Sequence, residues 1–236
     1  MSMSDDEIRK YMLEKFYTGV PVLEPFKADV PKLDNSRLTV ANGAVSYDGD
    51  LIWRGGGIVA NNELPFKIDT VNGNFTFGAA FKWSPNMPSK VAGIFRISMT
   101  KLSEINGDIE AEVFQISNCA PDLKITGNIT ANSLEIKVRN LNSVELTSTA
   151  SLNIKSLTIK SPGVVSASTL LDPVAPYNII IDNCPNLSLG LVALFAGSDK
   201  VKIIGSIQKI SQQYLGKGIG SLVDMIREYE KQEIDL

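Results

Sequence analysis

The chain contains no histidine among its 236 residues. Histidine is a frequent general base near neutral pH, the proton carrier of serine and cysteine triads, and a common metal ligand. Its absence excludes those triads and restricts an enzyme to carboxylate, lysine and metal–oxygen chemistry. The two cysteines, Cys119 and Cys184, fit neither a zinc motif nor a disulfide framework. We therefore expect no catalytic residues, no cofactor and no metal site.

The sequence also lacks a strong charge imbalance and a long apolar run. Its 23 basic and 26 acidic residues give a net charge of −3, and a mildly acidic chain attracts phosphate backbones poorly. The longest apolar stretch, 187–197, is shorter than the roughly 18 to 20 residues of a membrane span. The N-terminus has acidic residues where a signal peptide needs basic ones. These features predict a soluble, cytosolic protein that binds neither nucleic acid nor membranes.

What the sequence does contain is a repeat of 19 to 24 residues. Each repeat begins with two apolar residues separated by one position, which places both side chains on one face of a short strand. The first members of these eight pairs are Leu51, Phe75, Phe95, Phe114, Leu134, Leu157, Ile179 and Val201. One such strand cannot bury its apolar face alone. Stacking the strands into a parallel sheet buries these faces in one core, so the repeat predicts a leucine-rich-repeat-like solenoid.

Two of the turns that follow these strands share the Asn–Cys pattern of leucine-rich repeats. After Phe114 and after Ile179, Asn and Cys occur four and five residues further on. In this pattern the small side chain faces inward and satisfies backbone groups at the bend. Arg139 occupies the cysteine position after Leu134, and because an arginine does not fit such an inward place, we expect a displaced turn there.

The repeat also predicts the state of the two thiols. Cys119 and Cys184 occupy equivalent positions three repeats apart. Neighbouring strands of a sheet lie roughly 4.8 Å apart, so the two residues would be roughly 14 Å apart. A disulfide requires Cα atoms within about 7 Å of each other. We therefore predict two free, buried thiols.

Residues 37–107 resemble the leucine-rich-repeat-like proteins of unknown function that large tailed bacteriophages encode. The matching positions are the Asp-Gly-Asp of 48–50, the Leu-Pro of 64–65, and the spaced Val, Gly and Phe of 71–75 and 91–95. The resemblance implies a phage origin and a repeat scaffold. Combined with the predicted cytosolic location, a phage origin indicates the cytoplasm of the host bacterium. It implies no activity and no catalytic residues.

The two ends of the chain differ from the repeats and predict capping segments. In 1–36, Ser4 and the acidic residues after it predict a helix start, and a Pro-containing linker follows that helix. The solenoid is predicted over 37–210, and 211–236 contains the apolar stripe of a second helix. Solenoids need covered terminal strands, because an open sheet edge pairs with other chains. A homodimer formed through such an edge is compatible with this pattern.

The outward positions of the repeat strands form the predicted partner-binding surface. In a curved solenoid these positions line the concave face, where repeat proteins usually bind. The predicted partner-binding residues are Arg96, Gln115, Glu135, Lys137, Thr158, Lys160, Ile180 and Lys202. We expect the strongest contacts at Arg96 and along the lysine side of this surface. A merely solvated sheet face has the same composition, so that alternative stays open.

Two glycine-rich segments are weaker candidates for binding sites, one for a phosphate group and one for an anion. The segment 216–221 has the spaced glycines of a phosphate-binding loop but lacks the preceding strand and the third glycine of a dinucleotide site. It is more typical of a hinge between two short helices. The Arg-Gly-Gly-Gly of 54–57 has the composition of an anion-binding nest, and it equally fits an ordinary turn.

The sequence therefore predicts a non-catalytic, phage-encoded scaffold that binds a host or phage protein in the infected cell, for example a host factor that it redirects. One alternative is a structural or assembly component of the virion. Another is a parallel β-helix enzyme that acts on polysaccharide, with carboxylate pairs such as Glu110 and Glu112. Asp48 and Asp50 form a second such pair, although they flank a D-G hairpin signal that explains them adequately.

Overall fold

The computed structural model describes residues 3–18, 31–53, 64–78, 83, 85–98, 102–139, 144–165, 168–184, 186–188, 191, 194–195 and 198–204. Its elements, numbered in chain order, are α1 Asp5–Lys15, β1 Phe16–Tyr17, β2 Leu38–Ala41, β3 Ala44–Tyr47, β4 Leu51–Trp53, β5 Lys67–Val71, β6 Phe75–Gly78, β7 Lys90–Ser98, β8 Glu104–Ile105, β9 Ile109–Ser117, β10 Lys124–Ile125, β11 Ile129–Lys137, β12 Thr147–Ser148, β13 Leu152–Lys160, β14 Val164–Val165, β15 Asn178–Asp182, β16 Asn186–Leu187 and β17 Val201–Ile204. Short 3₁₀ helices occur at Asn35–Arg37 and Thr169–Leu171.

The predicted solenoid is confirmed. Strands β4, β6, β7, β9, β11, β13, β15 and β17 lie side by side in sequence order, and each neighbouring pair is parallel. The residues that begin the eight repeats are register partners without a slip, from Leu51 beside Phe75 to Ile179 beside Val201. The result is a stacked-coil β-solenoid of about six turns.

The central strands are longer than the sequence predicts. Strands β7, β9, β11 and β13 each have nine residues, and only their second halves contain the apolar pairs of the repeat. At the N-terminal end of the solenoid the two halves are separate strands. The first half of β7 pairs with β5, while its second half pairs with β6. Each long strand therefore contributes to two sides of the coil.

Short strands form a further side of the coil. Strands β8, β10 and β12 make a three-stranded parallel sheet, and β14 pairs with β16. The inward residues around these strands are fully buried, among them Leu102, Ile105, Leu123, Ile125 and Leu146. These residues belong to the same buried cluster as the apolar pairs of the repeat, so the short strands contribute to one core with the long strands.

The core of the N-terminal coils is aromatic. The ring of Phe95 lies 5.2 Å from that of Phe75 and 5.0 Å from that of Phe114, measured between centroids. Trp53 stacks on Phe77 at 4.5 Å. Aromatic pairs at these distances contribute roughly 0.5–1.5 kcal/mol beyond the burial of their area. Ring stacking thus adds to hydrophobic burial in holding these coils together.

Stacked glycines explain the repeated Val, Gly and Phe of 71–75 and 91–95. A Cβ on Gly73 would lie 2.4 Å from the carbonyl carbon of Gly49, and a Cβ on Gly93 would lie 2.6 Å from Oδ1 of Asn74. The same corner is held by Asp50, whose Oδ1 accepts the backbone N–H of Asn74 at 2.8 Å. The coils approach so closely at this corner that a side chain does not fit.

The D-G hairpin predicted at Asp48–Asp50 is wrong. A hairpin does occur earlier in the chain, between β2 and β3. It turns at Asn42 and Gly43, whose φ angles are +53° and +76°. Two positive φ angles suit the tight turn of an antiparallel hairpin, and Asn-Gly is the dipeptide that adopts them most readily. Residues 48–50 instead form the corner between β3 and β4, which pair with different neighbours.

The helix predicted near the N-terminus is present, and an antiparallel strand that was not predicted follows it. Ser4 and Glu7 form a capping box at the start of α1, in which each side chain accepts a backbone N–H of the other residue. Ile8 and Met12 are buried. Strand β1 pairs antiparallel with β4, with Phe16 beside Trp53, and so covers the first strand of the solenoid.

The predicted C-terminal helix of 211–236 and the glycine-rich segments 54–57 and 216–221 lie outside the described residues. Within the residues that are described, no helix has the length and apolarity needed to cross a bilayer.

Candidate binding surface

The second halves of the long strands carry the predicted partner-binding residues on one outward side. Six of them are consecutive register partners across the sheet: Arg96, Gln115, Glu135, Thr158, Ile180 and Lys202. The other two, Lys137 and Lys160, are partners in the row two positions further along the strands. We call this surface, with Asp182 and Ile204 in its second row, the downstream face. Strict pairing at period 2 therefore brings all eight predicted residues together.

A hydrogen-bonded ladder crosses three coils on the downstream face. Nε of Arg96 donates to Oε1 of Gln115 at 2.8 Å, and Nε2 of Gln115 donates to Oε2 of Glu135 at 2.9 Å. All three side chains are half-buried, so these bonds hold long side chains in defined positions. We call these three residues the polar ladder.

The next cation along this face is neutralised within the protein. Nζ of Lys160 lies 2.6 Å from Oδ2 of Asp182. The hydrogen bond to Asp182 raises the pKa of Lys160, with smaller contributions from the negative charges of Asp182 and Glu135. Lys160 thus remains protonated to a higher pH than an isolated lysine, and its charge is already paired.

A groove of about 350 Å³ lies on the other half of the same strands and was not anticipated from the sequence. Its outward side chains, which we call the upstream face, are Lys90, Ala92, Glu110, Glu112, Thr130, Asn132, Asn153 and Lys155. Lys90 pairs with Glu110 at 3.0 Å, and both side chains are more than half exposed. The sequence predicts this face only weakly. Ile109, Glu110, Ala111 and Glu112 alternate between inward and outward positions as a strand does, but alanine is uncommon in strands and so makes the pattern hard to identify.

A smaller groove, of about 210 Å³, lies on the downstream face. It is lined by Gln115, Ile116, Ser117, Glu135, Ile136, Lys137, Thr158 and Lys160. Five of the eight predicted binding residues therefore surround one concavity. Its walls include two members of the polar ladder and two lysines, so it can take up groups that both donate and accept hydrogen bonds.

The C-terminal end of the downstream face includes two isoleucines beside charged side chains. Ile180 is half-buried, and Ile204 in the second row is 40% exposed. Lys202 is the register partner of Ile180 and is exposed. The side chains of the downstream face therefore change along the sheet, from hydrogen-bonding groups at Arg96 to isoleucines beside Lys202 at the other end.

The two cysteines are free and buried, as predicted. Burial raises the pKa of Cys119 to about 12 and that of Cys184 to about 11. Sγ of Cys184 accepts the backbone N–H of Ser161 at 3.1 Å, which is the inward bond that the turn pattern predicts. At neutral pH both thiols are protonated, and a protonated thiol is a weak nucleophile.

The asparagines of the Asn–Cys turns explain why this dipeptide recurs. Asn118 and Asn183 have φ angles of +58° and +53°, in the left-handed region that asparagine tolerates better than most residues. The equivalent turn at Arg139 is displaced, as expected: Arg139 is exposed and Val138 is buried one position earlier. At this turn the buried side chain is that of Val138, and Arg139 lies at the surface.

Among the described residues, no group of three or more His, Cys, Asp and Glu side chains is arranged to hold a metal ion. The two predicted carboxylate pairs do not form one site. Glu110 and Glu112 lie on the upstream face, whereas Asp50 bonds to Asn74 at the corner beside Gly73. Comparison of the chain with protein-family models, with curated proteins and with solved structures finds no match.

Proposed function

We propose that this protein is a non-catalytic, protein-binding solenoid whose downstream face docks a partner in the cytoplasm of an infected bacterium. The observation that carries the proposal is the polar ladder of Arg96, Gln115 and Glu135 beside a groove of about 210 Å³. The phage context rests on the sequence resemblance of residues 37–107.

The ladder favours recognition because it lowers the cost of binding. Ordering a long, rotamer-rich side chain at an interface costs roughly 0.5–1.5 kcal/mol. Arg96 and Gln115 are already held by hydrogen bonds to the next coil, and their backbone lies in a continuous parallel sheet. A partner that contacts them meets positioned donors and acceptors.

The mixture of groups favours a protein as the partner. The face combines hydrogen-bonding side chains, cations and the exposed apolar surface of Ile204. Stable protein interfaces have an apolar core and a polar rim, with arginine enriched among the residues that matter most. On this view Arg96 supplies a strong polar contact at one end of the face, and Ile180 with Ile204 an apolar contact at the other.

An affinity capture from infected-cell lysate tests the proposal. We expect the tagged protein to retain one partner in stoichiometric amount and the variant Arg96→Glu/Lys137→Glu to lose it. Lys155→Glu is the control, because Lys155 is exposed as Lys137 is but lies on the upstream face of β13. Recovery of particle proteins alone would favour a virion component, and retention of the partner by the double variant would exclude the downstream face.

A further inference from the structure

The charges of the downstream face are not balanced within the protein. Four cations, Arg96, Lys137, Lys160 and Lys202, share the face with two carboxylates, Glu135 and Asp182, which gives a net charge of +2. The whole chain has a net charge of −3, so the rest of the molecule carries −5. The face is therefore a positive area on an otherwise negative protein.

The excess positive charge is located on three particular residues. Asp182 pairs with Lys160, and Glu135 accepts from Gln115 and lies close enough to raise the pKa of Lys160. In the part of the chain that the structure describes, no carboxylate lies within ion-pair distance of Arg96, Lys137 or Lys202. Among the described residues, these three cations therefore have no carboxylate that neutralises them.

Arg96 is held in place by a neutral group. Its Nε bonds to the amide oxygen of Gln115, which fixes its position without compensating its charge. Within the part of the chain that the structure describes, its terminal nitrogens make no hydrogen bond, so their N–H groups can bind a partner. Arginine binds carboxylates through two parallel N–H···O bonds, which are stronger than bonds between neutral groups.

The spacing of the cations follows the solenoid axis. Two strand spacings separate Arg96 from Lys137, and three separate Lys137 from Lys202. At roughly 4.8 Å per strand, the steps along the axis are roughly 10 and 14 Å. Side chains on one side of an extended peptide recur about every 6.8 Å, so acidic residues a few positions apart can reach successive cations.

The apolar end distinguishes a peptide from a polyphosphate. Ile180 and Ile204 lie beside the last of these cations, Lys202. A nucleic-acid backbone has no apolar group to place there, and Glu135 and Asp182 would repel its continuous charge. We infer that the downstream face binds an acidic protein segment that runs along the solenoid axis, with carboxylates at Arg96, Lys137 and Lys202 and an apolar side chain at Ile180 and Ile204. This inference rests on the proposed function.

Labelled probes test the inference directly. The first probe is a glutamate-rich peptide of about twelve residues with leucines at one end, which spans about 40 Å when extended. The controls are the same peptide with glutamine or with lysine in place of glutamate, and a thymidine oligonucleotide of similar length. We expect fluorescence anisotropy to show binding of the glutamate peptide alone, weakened severalfold when salt is raised from about 50 to about 200 mM.

Neutralising variants locate the binding. Exposed ion pairs contribute up to about 1 kcal/mol, so Arg96→Gln, Lys137→Gln and Lys202→Gln should each weaken binding about two- to fivefold. The triple variant should weaken it about tenfold to a hundredfold if the sites act independently. Lys155→Gln, on the upstream face, should bind as the unmodified protein does. Ile204→Ser should weaken binding to a degree that does not depend on salt.

Three results would overturn the inference: no binding of the glutamate peptide, equal binding of the oligonucleotide, or equal loss in Lys155→Gln and in the downstream variants. The proposed function can fail separately. If the glutamate peptide does not bind, yet a captured cellular partner is lost in Arg96→Glu/Lys137→Glu, then the downstream face binds a protein that is not acidic. Circular dichroism of each variant establishes that a loss does not arise from unfolding.

Discussion

The N-terminal coils, from β4 to β9, and the C-terminal coils, from β11 to β17, fill one parallel register with different side chains. The same column of inward positions is aromatic after Leu51 in the first group and aliphatic throughout the second: Phe75, Phe95 and Phe114, then Leu134, Leu157, Ile179 and Val201. Pairing of the strands therefore does not depend on one kind of side chain. It requires only that each inward position be apolar and of a size that its neighbours can accommodate.

Close glycine contacts, in contrast, occur in both groups. A Cβ on Gly73 would lie 2.4 Å from the carbonyl carbon of Gly49, and a Cβ on Gly127, just before β11, would lie 2.2 Å from the carbonyl oxygen of Gly107. The two groups therefore differ in how their inward column is filled rather than in how closely their coils approach at the glycines. The predictions below test this contrast, from the largest expected effect to the smallest.

The first prediction concerns the inward column. Phe95→Ala should lower the free energy of unfolding by about 4 kcal/mol, because it removes a buried ring that contacts Phe75, Trp83 and Phe114. Ile179→Ala in the C-terminal coils should cost less, about 3 kcal/mol, since no ring stacking is lost. Urea denaturation followed by tryptophan fluorescence measures both. A larger loss for Ile179→Ala would contradict the stronger packing of the aromatic coils.

The second prediction concerns the corner. Gly73→Ala should cost about 2–3 kcal/mol, because the new Cβ would overlap the backbone of Gly49 and force the coils apart. Gly78→Ala is the matched control at the end of the next strand, where a Cβ meets no atom within 4 Å, and it should stay within about 0.5 kcal/mol. Equal stability of the two variants would show that the corner relaxes at little cost.

The third prediction compares the two thiols, one in each group of coils. In the folded protein the pKa values of Cys119 and Cys184 are raised from 9.0 to about 12 and about 11. Above pH 9 the unfolded chain loses these protons while the folded chain keeps them, so stability falls as pH rises. The slope is on the order of 1 kcal/mol per pH unit for each thiol.

Alanine variants separate the two thiols. Cys119→Ala and Cys184→Ala should each show a shallower loss of stability between about pH 9 and pH 11 than the unmodified protein. The difference should persist to higher pH for Cys119. Unfolding free energies measured across this range check the prediction, and a Cys119→Ala curve parallel to that of the unmodified protein would show that this thiol ionises freely in the folded state.

Much of the solenoid is predictable because burial on one side of a strand leaves a period of two in the sequence. The apolar pairs from Leu51 to Val201 carry that signal, and all of them are in register. The first halves of the long strands are not predictable in this way, because Ala111 and Ala131 replace the large inward residues. The same alternation indicates which residues face outward. It does not indicate that Arg96 bonds Gln115 rather than Glu135, since side-chain torsions and distances across the sheet decide that.

Strand β1 has a consequence for how this protein can grow during evolution. It runs opposite to β4, and Tyr17 is bridged on its other side by Lys32, so the first coil presents no parallel template on which another could be added. New coils would instead arise by duplication within the gene. A duplicated stretch of 20 residues, the interval from Phe114 to Leu134, would insert one coil between existing ones and preserve the pairing of all the others. The length of the downstream face, and with it the length of a bound segment, would then change in steps of one strand spacing.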